Sequence, residues 1–496
     1  MASPFAMGRR IARPGHCFTS LVHLRHSRFS TNSTSSPSSP DQSLASSSSS
    51  SSVYPPPPDS GEAAHYAPSS FPSHSSASYF HFEVLHTSKR SGARVGRIHT
   101  PHGVIETPGF VAVGTNGTLK HISTLHGNEM GVQAMFMNTY HLLLHPGPDV
   151  ISSAGGLHKF IQHKTPIMTD SGGFQVMSMA SRDQFIYSHQ LPEEKEEEEA
   201  ARREAEAEAQ GIGDERSKKL LARARDREKN EESGYISLVQ RINEDGVYFK
   251  SYRDGTEVVL TPETSVAYQK SFGADIIIPL DELPPVNCTD HNRLLNSLHR
   301  THRWEARSLL AHKKDPRDQA MYAVLHGGVD RELRQLSIDY LTQLPFDGFA
   351  IGSSTSAGPS LLVGDLVSLV EWMSPKLPKD KPCHLLGIGD LESIGDCVAF
   401  GIDTFDSAYP TRIGRHGTIL TRQGKKSITK IENKHKHAPM DPGCSCFTCR
   451  NYSASYLYHL HKAYEPVGMQ LTTIHNLHFM LNYFKDVREK IMRDEI

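Results

Sequence analysis

Residues 273–282 read GADIIIPLDE, an apolar run that opens on Gly273 and closes on Asp281 and Glu282. Three consecutive isoleucines favour extended chain, and a short continuous apolar run bounded by glycine and acids reads as a strand buried on both faces, as in a parallel sheet. The same form recurs on either side: PIMTD (166–170) before it, then AMYAVLHGG (320–328), DGFAIGSS (347–354), CHLLGIGD (383–390) and IDTFDSAYP (402–410) after it. Longer stretches with helical periodicity separate them, such as HNRLLNSLHRTHRWEARSLLAHKK (291–314) and RELRQLSIDYLTQL (331–344). Strand followed by helix, repeated this often, predicts a (β/α)8 barrel. Several runs end in Asp, His or Gly-Ser, which a barrel gathers on the rim where catalytic groups sit.

The 496-residue chain is 37% hydrophobic and 22% charged with a formal net charge of −2, ordinary for a soluble globular protein and without a global bias toward an acidic or basic partner. No apolar run reaches the roughly 18 residues of an integral membrane segment. Residues 1–78 are expected to be disordered. Residues 1–40 hold five arginines and no acid, the composition of a mitochondrial transit segment or of an acid-poor tail, and the Ser46–Ser52 and Pro55–Pro58 runs read as linker. A folded domain is predicted over 79–490, interrupted at 190–233 by a charged, low-complexity stretch too poor in large apolar residues to bury a core.

Cys444, Cys446 and Cys449 lie within six residues, and His475 follows. Three thiolates and an imidazole complete a tetrahedral Zn²⁺ shell, so this zinc is predicted to be structural; on spacing alone, His478 could replace His475. The other four cysteines are scattered, which points to a reducing compartment rather than a disulfide framework. Between Arg412 and Arg450 nine Lys or Arg face two acids. Together with the cysteines, this defines a basic zinc subdomain over 412–480, with the electrostatic footprint of phosphate binding.

Three carboxylates close strand-like runs: Asp170 in MTDSGGFQVMSM, Asp281 in IIIPLDEL and Asp406 in DTFDSAYPTRIGRHG. At a strand end, any one of them suits a turn or a helix cap. As a set on one rim, they suit acid, base and nucleophile work on a single substrate. Gly172-Gly173 and Gly327-Gly328 allow tight turns beside a flat ligand and match no dinucleotide or phosphate-loop fingerprint.

FMNTYHLLLHPG (136–147), MTDSGGFQVMSM (168–179), GADIIIPLDE (273–282), FDSAYPTRIGRHG (405–417), CSCFTC (444–449) and TTIHNLHF (472–479) occur in the order seen in the tRNA-guanine transglycosylases, and the resemblance runs from about 80 to 490 apart from the charged stretch. It implies a (β/α)8 barrel with a zinc subdomain inserted near the C-terminus. It implies Asp406 as the nucleophile that attacks C1′ of the target ribose, and Asp170 as the proton acceptor and donor. Asp281 would recognise the base, with Phe174 stacking on it and Leu386 covering its other face. Arg412 and Arg415 would grip the nucleotides flanking the target, and Cys444, Cys446, Cys449 and His475 would hold Zn²⁺. The chain departs from the family at His326, where a Gln is usual, at Gly352-Ser353-Ser354, where Gly-Gly-Leu is usual, and at Gly358, where a Glu is usual. These changes all concern base binding, so His326 and Ser353 join the substrate-binding set.

The expected activity is exchange of guanine for queuine at wobble position 34 of tRNAs with GUN anticodons, through a covalent Asp–ribose intermediate. A non-catalytic tRNA-binding accessory subunit of the same complex is the alternative. A eukaryotic-type catalytic subunit, a heterodimer with a non-catalytic paralogue, and a cytoplasmic or mitochondrial location are further expectations.

Overall fold

The computed structural model describes residues 66–74, 78–179, 238–284, 288, 290–352 and 363–496. Eight parallel strands close into a barrel: β1 (Gly109–Thr115), β2 (Met135–Met137), β3 (Ile167–Thr169), β4 (Ile276–Ile277), β5 (Ala320–Leu325), β6 (Gly348–Ile351), β7 (Cys383–Leu385) and β8 (Thr404–Ser407), with β8 pairing β1. The predicted fold is therefore the observed one. The runs quoted above supply β3 to β8; β1 and β2 complete the ring.

Alternation along each strand sorts the two cores. Val111, Phe136, Met168, Ile276, Tyr322 and Val324 fill the barrel interior. Their neighbours Phe110, Ala112, Met135, Ile277, Ala323 and Phe405 pack outward against the helices. The antiparallel sheet His81–Thr87, Arg94–Thr100, Gly103–Thr107 contributes Phe80, Ile98 and Ile105 to the interior cluster.

The helices begin where local chemistry allows. Asp290 accepts from Arg293 N and starts His291–Lys314, while Asp330 accepts from Glu332 N and Leu333 N and starts Arg331–Leu341. Thr261 and Thr264 cap Pro262–Phe272 reciprocally, and Gly273 ends it in the left-handed region at φ 67°.

A repeated device locks the base of the barrel. Asp275, Asp347 and Asp403 each stand immediately before an even-numbered strand and accept the backbone N–H at the start of the preceding strand: Ile167 N at 2.8 Å, Met321 N at 2.8 Å and Cys383 N at 2.7 Å. Each carboxylate also has a cationic or imidazole partner. Arg94 meets Asp403 in a bidentate pair at 2.6 and 2.9 Å; His74 lies 3.3 Å from Asp347; His102 and His158 lie 2.8 and 3.3 Å from Asp275.

The folded part begins before the expected boundary at residue 79. Phe71 is buried in the outer core, and Tyr340 Oη donates to Tyr66 O at 2.7 Å. The apolar Phe71 and His74 anchor a segment whose polar composition reads as linker. The rest of the expected N-terminal tail and the charged stretch at 190–233 lie outside the described residues. Past that stretch, Val239–Ile242, Val247–Lys250 and Glu257–Leu260 form an antiparallel sheet between β3 and β4, with Phe249 and Leu260 packed on Tyr140 and Trp304.

Candidate active site

The C-terminal ends of the parallel strands bring Asp170, Asp281, His326, Leu386 and Asp406 to one rim. Asp170 follows β3 directly. It accepts from Asn138 Nδ2 at 2.5 Å, Thr139 N at 2.7 Å and Gly172 N at 3.2 Å. Burial pushes its carboxyl up to about 6, against the pull of the Asn138 and Thr139 hydrogen bonds, and the nearby charge of Asp281 adds to the rise. A carboxyl so placed can hold or release a proton near neutrality. Gly172 sits at φ 86°, and a Cβ there would lie 3.1 Å from Tyr140 N, so the turn carrying Asp170 into the helix Gly173–Met179 requires glycine.

Asp281 lies beyond β4, accepting from Ser171 Oγ at 3.0 Å and His326 Nε2 at 2.8 Å. The sequence therefore marks two residues that touch. His326 directly follows β5, and Gly352 after β6 leaves room for its ring: a Cβ at 352 would fall 2.9 Å from His326 Cε1. Arg334, fully buried and without an acidic partner among the described residues, donates to the carbonyls of Leu325, Gly328 and Gly352, with burial lowering it to about 9. It ties Gly352, at the end of β6, to the turn after β5. Phe174 is 37% exposed on the first turn after Asp170. Leu386 packs partly buried against the barrel interior. Ser353, with Ser354 and Gly358, lies outside the described residues.

Asp406 stands inside β8, its outward neighbour Phe405 packed against the helices. Its Oδ1 accepts from His384 Nε2 at 3.1 Å and Gly387 N at 2.8 Å. Among the described residues no donor is paired with Oδ2.

Directly after β8 the helix Tyr409–Arg415 carries Arg412, exposed, and Arg415, half-buried. Arg415 is lowered by burial and by the charge of Arg412. Lys120 and His121, in the loop after β1, are lowered by burial and then by Arg415. Lys120, Arg412 and Arg415 thus gather positive charge beside a neutral His121, with no acid among the causes of these shifts in the described residues, which favours binding of an anion. Sequence reading missed Lys120, His121, Asn138, Arg334 and His384. A histidine inside the apolar run CHLLGIGD was the available signal for the last; the others carry no pattern of their own.

The four residues predicted to hold zinc lie together. The donor atoms of Cys444, Cys446, Cys449 and His475 lie within 4.8 Å of one another. His475 Nδ1 faces Cys446 Sγ at 3.5 Å and Cys449 Sγ at 3.3 Å, while its Nε2 donates to Leu420 O at 2.8 Å. That second bond leaves Nδ1 free to ligate, so the set fits a tetrahedral Zn²⁺. Hydrogen bonds from Cys444 and Cys449 hold the Cys446 thiol below the ordinary range. His478 contacts Ser445 at 3.4 Å and stays outside the ligand set.

The module is tied to the rim by the long helix Pro466–Met492 that carries His475. The adjacent Asn476 donates to Pro410 O at 2.9 Å and Thr418 O at 3.0 Å and accepts from Leu420 N at 2.9 Å; Thr472 Oγ1 donates to Gly414 O at 2.8 Å. The helix bearing Arg412 and Arg415 is thus braced from the metal side.

No helix of the described residues is long and apolar enough to cross a membrane. The sequence matches the family described as queuine tRNA-ribosyltransferase over residues 88–195 and 229–496; the unmatched gap falls inside the charged stretch. It is 49% identical over 418 residues to a queuine tRNA-ribosyltransferase of Protochlamydia amoebophila, covering 84% of this chain and 97% of that one. Queuine tRNA-ribosyltransferases of Chlamydia abortus and Chlamydia caviae are 45% and 46% identical over 416 residues, covering 84% of this chain and 99% of theirs. These relatives are bacterial and lend no support to a eukaryotic-type subunit or to a heterodimer with a paralogue. On both the extent of the match and the fold and rim that accompany it, the chain belongs to the queuine tRNA-ribosyltransferase family, the tRNA-guanine transglycosylases.

Proposed function

We propose that this chain exchanges guanine for queuine at wobble position 34 of tRNAs with GUN anticodons, by double displacement through a covalent bond between Asp406 and the ribose. The carrying observation is the pairing on one rim of an anchored carboxylate with one oxygen undonated, Asp406, and a carboxyl raised to about 6, Asp170. In the first displacement, Asp406 Oδ2 bonds to C1′ while the C1′–N9 bond breaks. Guanine leaves with the bonding pair and takes up a proton from Asp170. In the second, a ring nitrogen of the entering base bonds to C1′, the Asp406–C1′ bond breaks with its pair returning to the carboxylate, and the base's proton passes to Asp170. Two carboxyl groups serve glycosidases in a related way.

Phe174 and Leu386 sandwich the flipped base, and Asp281 with His326 reads its polar edge. Ser353 belongs to the same pocket by its place in the sequence. Lys120, His121, Arg412 and Arg415 hold the flanking phosphates. Zn²⁺ on Cys444, Cys446, Cys449 and His475 supplies structure, since four protein ligands leave no open position. The acid-poor N-terminus supports a mitochondrial as well as a cytoplasmic location.

The test is incubation of the purified chain with tRNA carrying G34 and labelled guanine or queuine, beside Asp406→Ala. Incorporation lost in the variant supports the reading. Binding of tRNA with no incorporation of either base sinks it in favour of an accessory tRNA-binding role.

A further inference from the structure

On β7, Cys383 and Leu385 pack outward, so the residue between them faces the barrel interior. That residue is His384, wholly buried. Its ring stacks on Phe136 at 6.0 Å with 9° between planes. Thr404 Oγ1 lies 2.9 Å from Nδ1, and Asp406 Oδ1 lies 3.1 Å from Nε2. A carboxylate only accepts, so Nε2 carries the hydrogen toward Asp406, and the Thr404 hydroxyl is placed to donate to Nδ1. Both ring nitrogens are satisfied and the ring plane is fixed. Gly387 N, at 2.8 Å, gives the same Oδ1 a second donor.

We infer that His384 is a positioning residue for Asp406: with Gly387 N it fixes Oδ1, turns Oδ2 toward the ribose, and eases the return of the carboxylate in the second displacement. The inference rests on the reading of Asp406 as nucleophile. In the covalent intermediate Oδ1 is a neutral ester carbonyl. When the Oδ2–C1′ bond breaks, its electron pair restores a charge shared by both oxygens, and donors already aimed at Oδ1 stabilise it without rearrangement. The same donors stabilise the resting carboxylate before the first bond forms, so their loss slows release of the tRNA more than its capture. The signature is accumulation of covalent enzyme–tRNA, which a purely structural histidine would not produce.

The experiment compares His384→Asn and His384→Gln in the full chain, with G34 tRNA and labelled guanine. The Asn amide stands near the Nδ1 position and cannot reach Asp406; the Gln amide stands near Nε2 and can donate. Both are polar and close to histidine in size, and thermal melting checks that they fold. For Asn we expect kcat to fall about 10²-fold with KM for tRNA little changed, and the covalent fraction on a denaturing gel to rise. Gln should restore most of both. Equal behaviour of the two variants, whether near the unaltered chain or equally impaired with an unchanged covalent fraction, overturns the inference while leaving the nucleophile reading intact. If the unaltered chain forms no covalent complex and exchanges no guanine, the nucleophile reading itself fails and the inference falls with it.

Discussion

Asn138 Nδ2, just after β2, donates to Oδ2 of Asp170, just after β3, at 2.5 Å. The bond favours the charged carboxylate and partly offsets the burial that raises Asp170 to about 6. Asn138→Ala should raise it further. The inflection that Asp170 contributes to the pH profile of kcat/KM for base exchange should then move to higher pH. An inflection near pH 6 that stays put in Asn138→Ala would detach Asp170 from that proton transfer.

His475 and His478 should behave differently despite lying three residues apart. His475→Ala removes a ligand whose other nitrogen is anchored on Leu420 O, whereas His478→Ala leaves the donor set whole. Zinc per chain, measured by elemental analysis, should be near one for His478→Ala and markedly reduced for His475→Ala. Chelation should weaken tRNA binding in a filter assay, because the helix of Arg412 and Arg415 leans on the same long helix.

That bracing has a tight point at Gly414. A Cβ there would lie 3.2 Å from Thr473 N and Cα, backbone atoms with little freedom to move. Gly414→Ala should destabilise the fold by about 1–3 kcal/mol and weaken tRNA binding; equilibrium denaturation and binding isotherms read the two effects. Unchanged values in both would mean that the helices part without cost.

At the base, Arg94 and Asp403 form a buried bidentate pair. Removing one partner strands the other charge, so Arg94→Met should cost about 3–5 kcal/mol in urea denaturation. The double variant Arg94→Met with Asp403→Asn should recover part of the loss. A single variant as stable as the parent would deny the pair its role.

The Asp275 site carries a pH signature. Burial opposes its charge, but hydrogen bonds from His102 and His158 outweigh burial and hold Asp275 well below the usual carboxylate range, while the bond to Asp275 raises His102. The Asp275 contribution is present above the unfolded carboxylate value and lost as pH falls through its depressed native one. The His102 contribution is complete below the unfolded histidine value and lost as pH rises through its raised native one. Between pH 6 and 8 the melting temperature should decline slightly, since His102 is partly exposed, and His102→Gln should flatten that decline. An equal decline in the variant would assign it to another group.

The sequence announces the fold from β3 onward, because strands buried on both faces read as continuous apolar runs. GFVAVGT of β1 reads less clearly: it is rich in glycine, and a Cβ at Gly114 would come within 2.6 Å of Met135 Cε, so small residues serve the packing there. β2 is only three residues long. The carboxylates and the zinc ligands were legible because charge at a strand end and closely spaced cysteines are unusual locally. Asn138, Lys120 and His384 were not, because each acts through a partner 20 or more residues along the chain, which one-dimensional spacing does not record; Arg334 was not, because only burial turns its bonds to nearby carbonyls into a brace. The earlier start of the folded part was hidden for a similar reason: Phe71 is one apolar residue in a polar stretch, and only its seat in the core gives it meaning.

The aspartates before β4, β6 and β8 secure Ile167, Met321 and Cys383 from the end of the barrel opposite the chemistry. Register is thereby set independently of the rim, whose turns are left to answer to the substrate. In deuterated solvent those three amides should be among the last to exchange, while amides of the rim turns open and close many times over. The rim can then change residue by residue without the strands losing step.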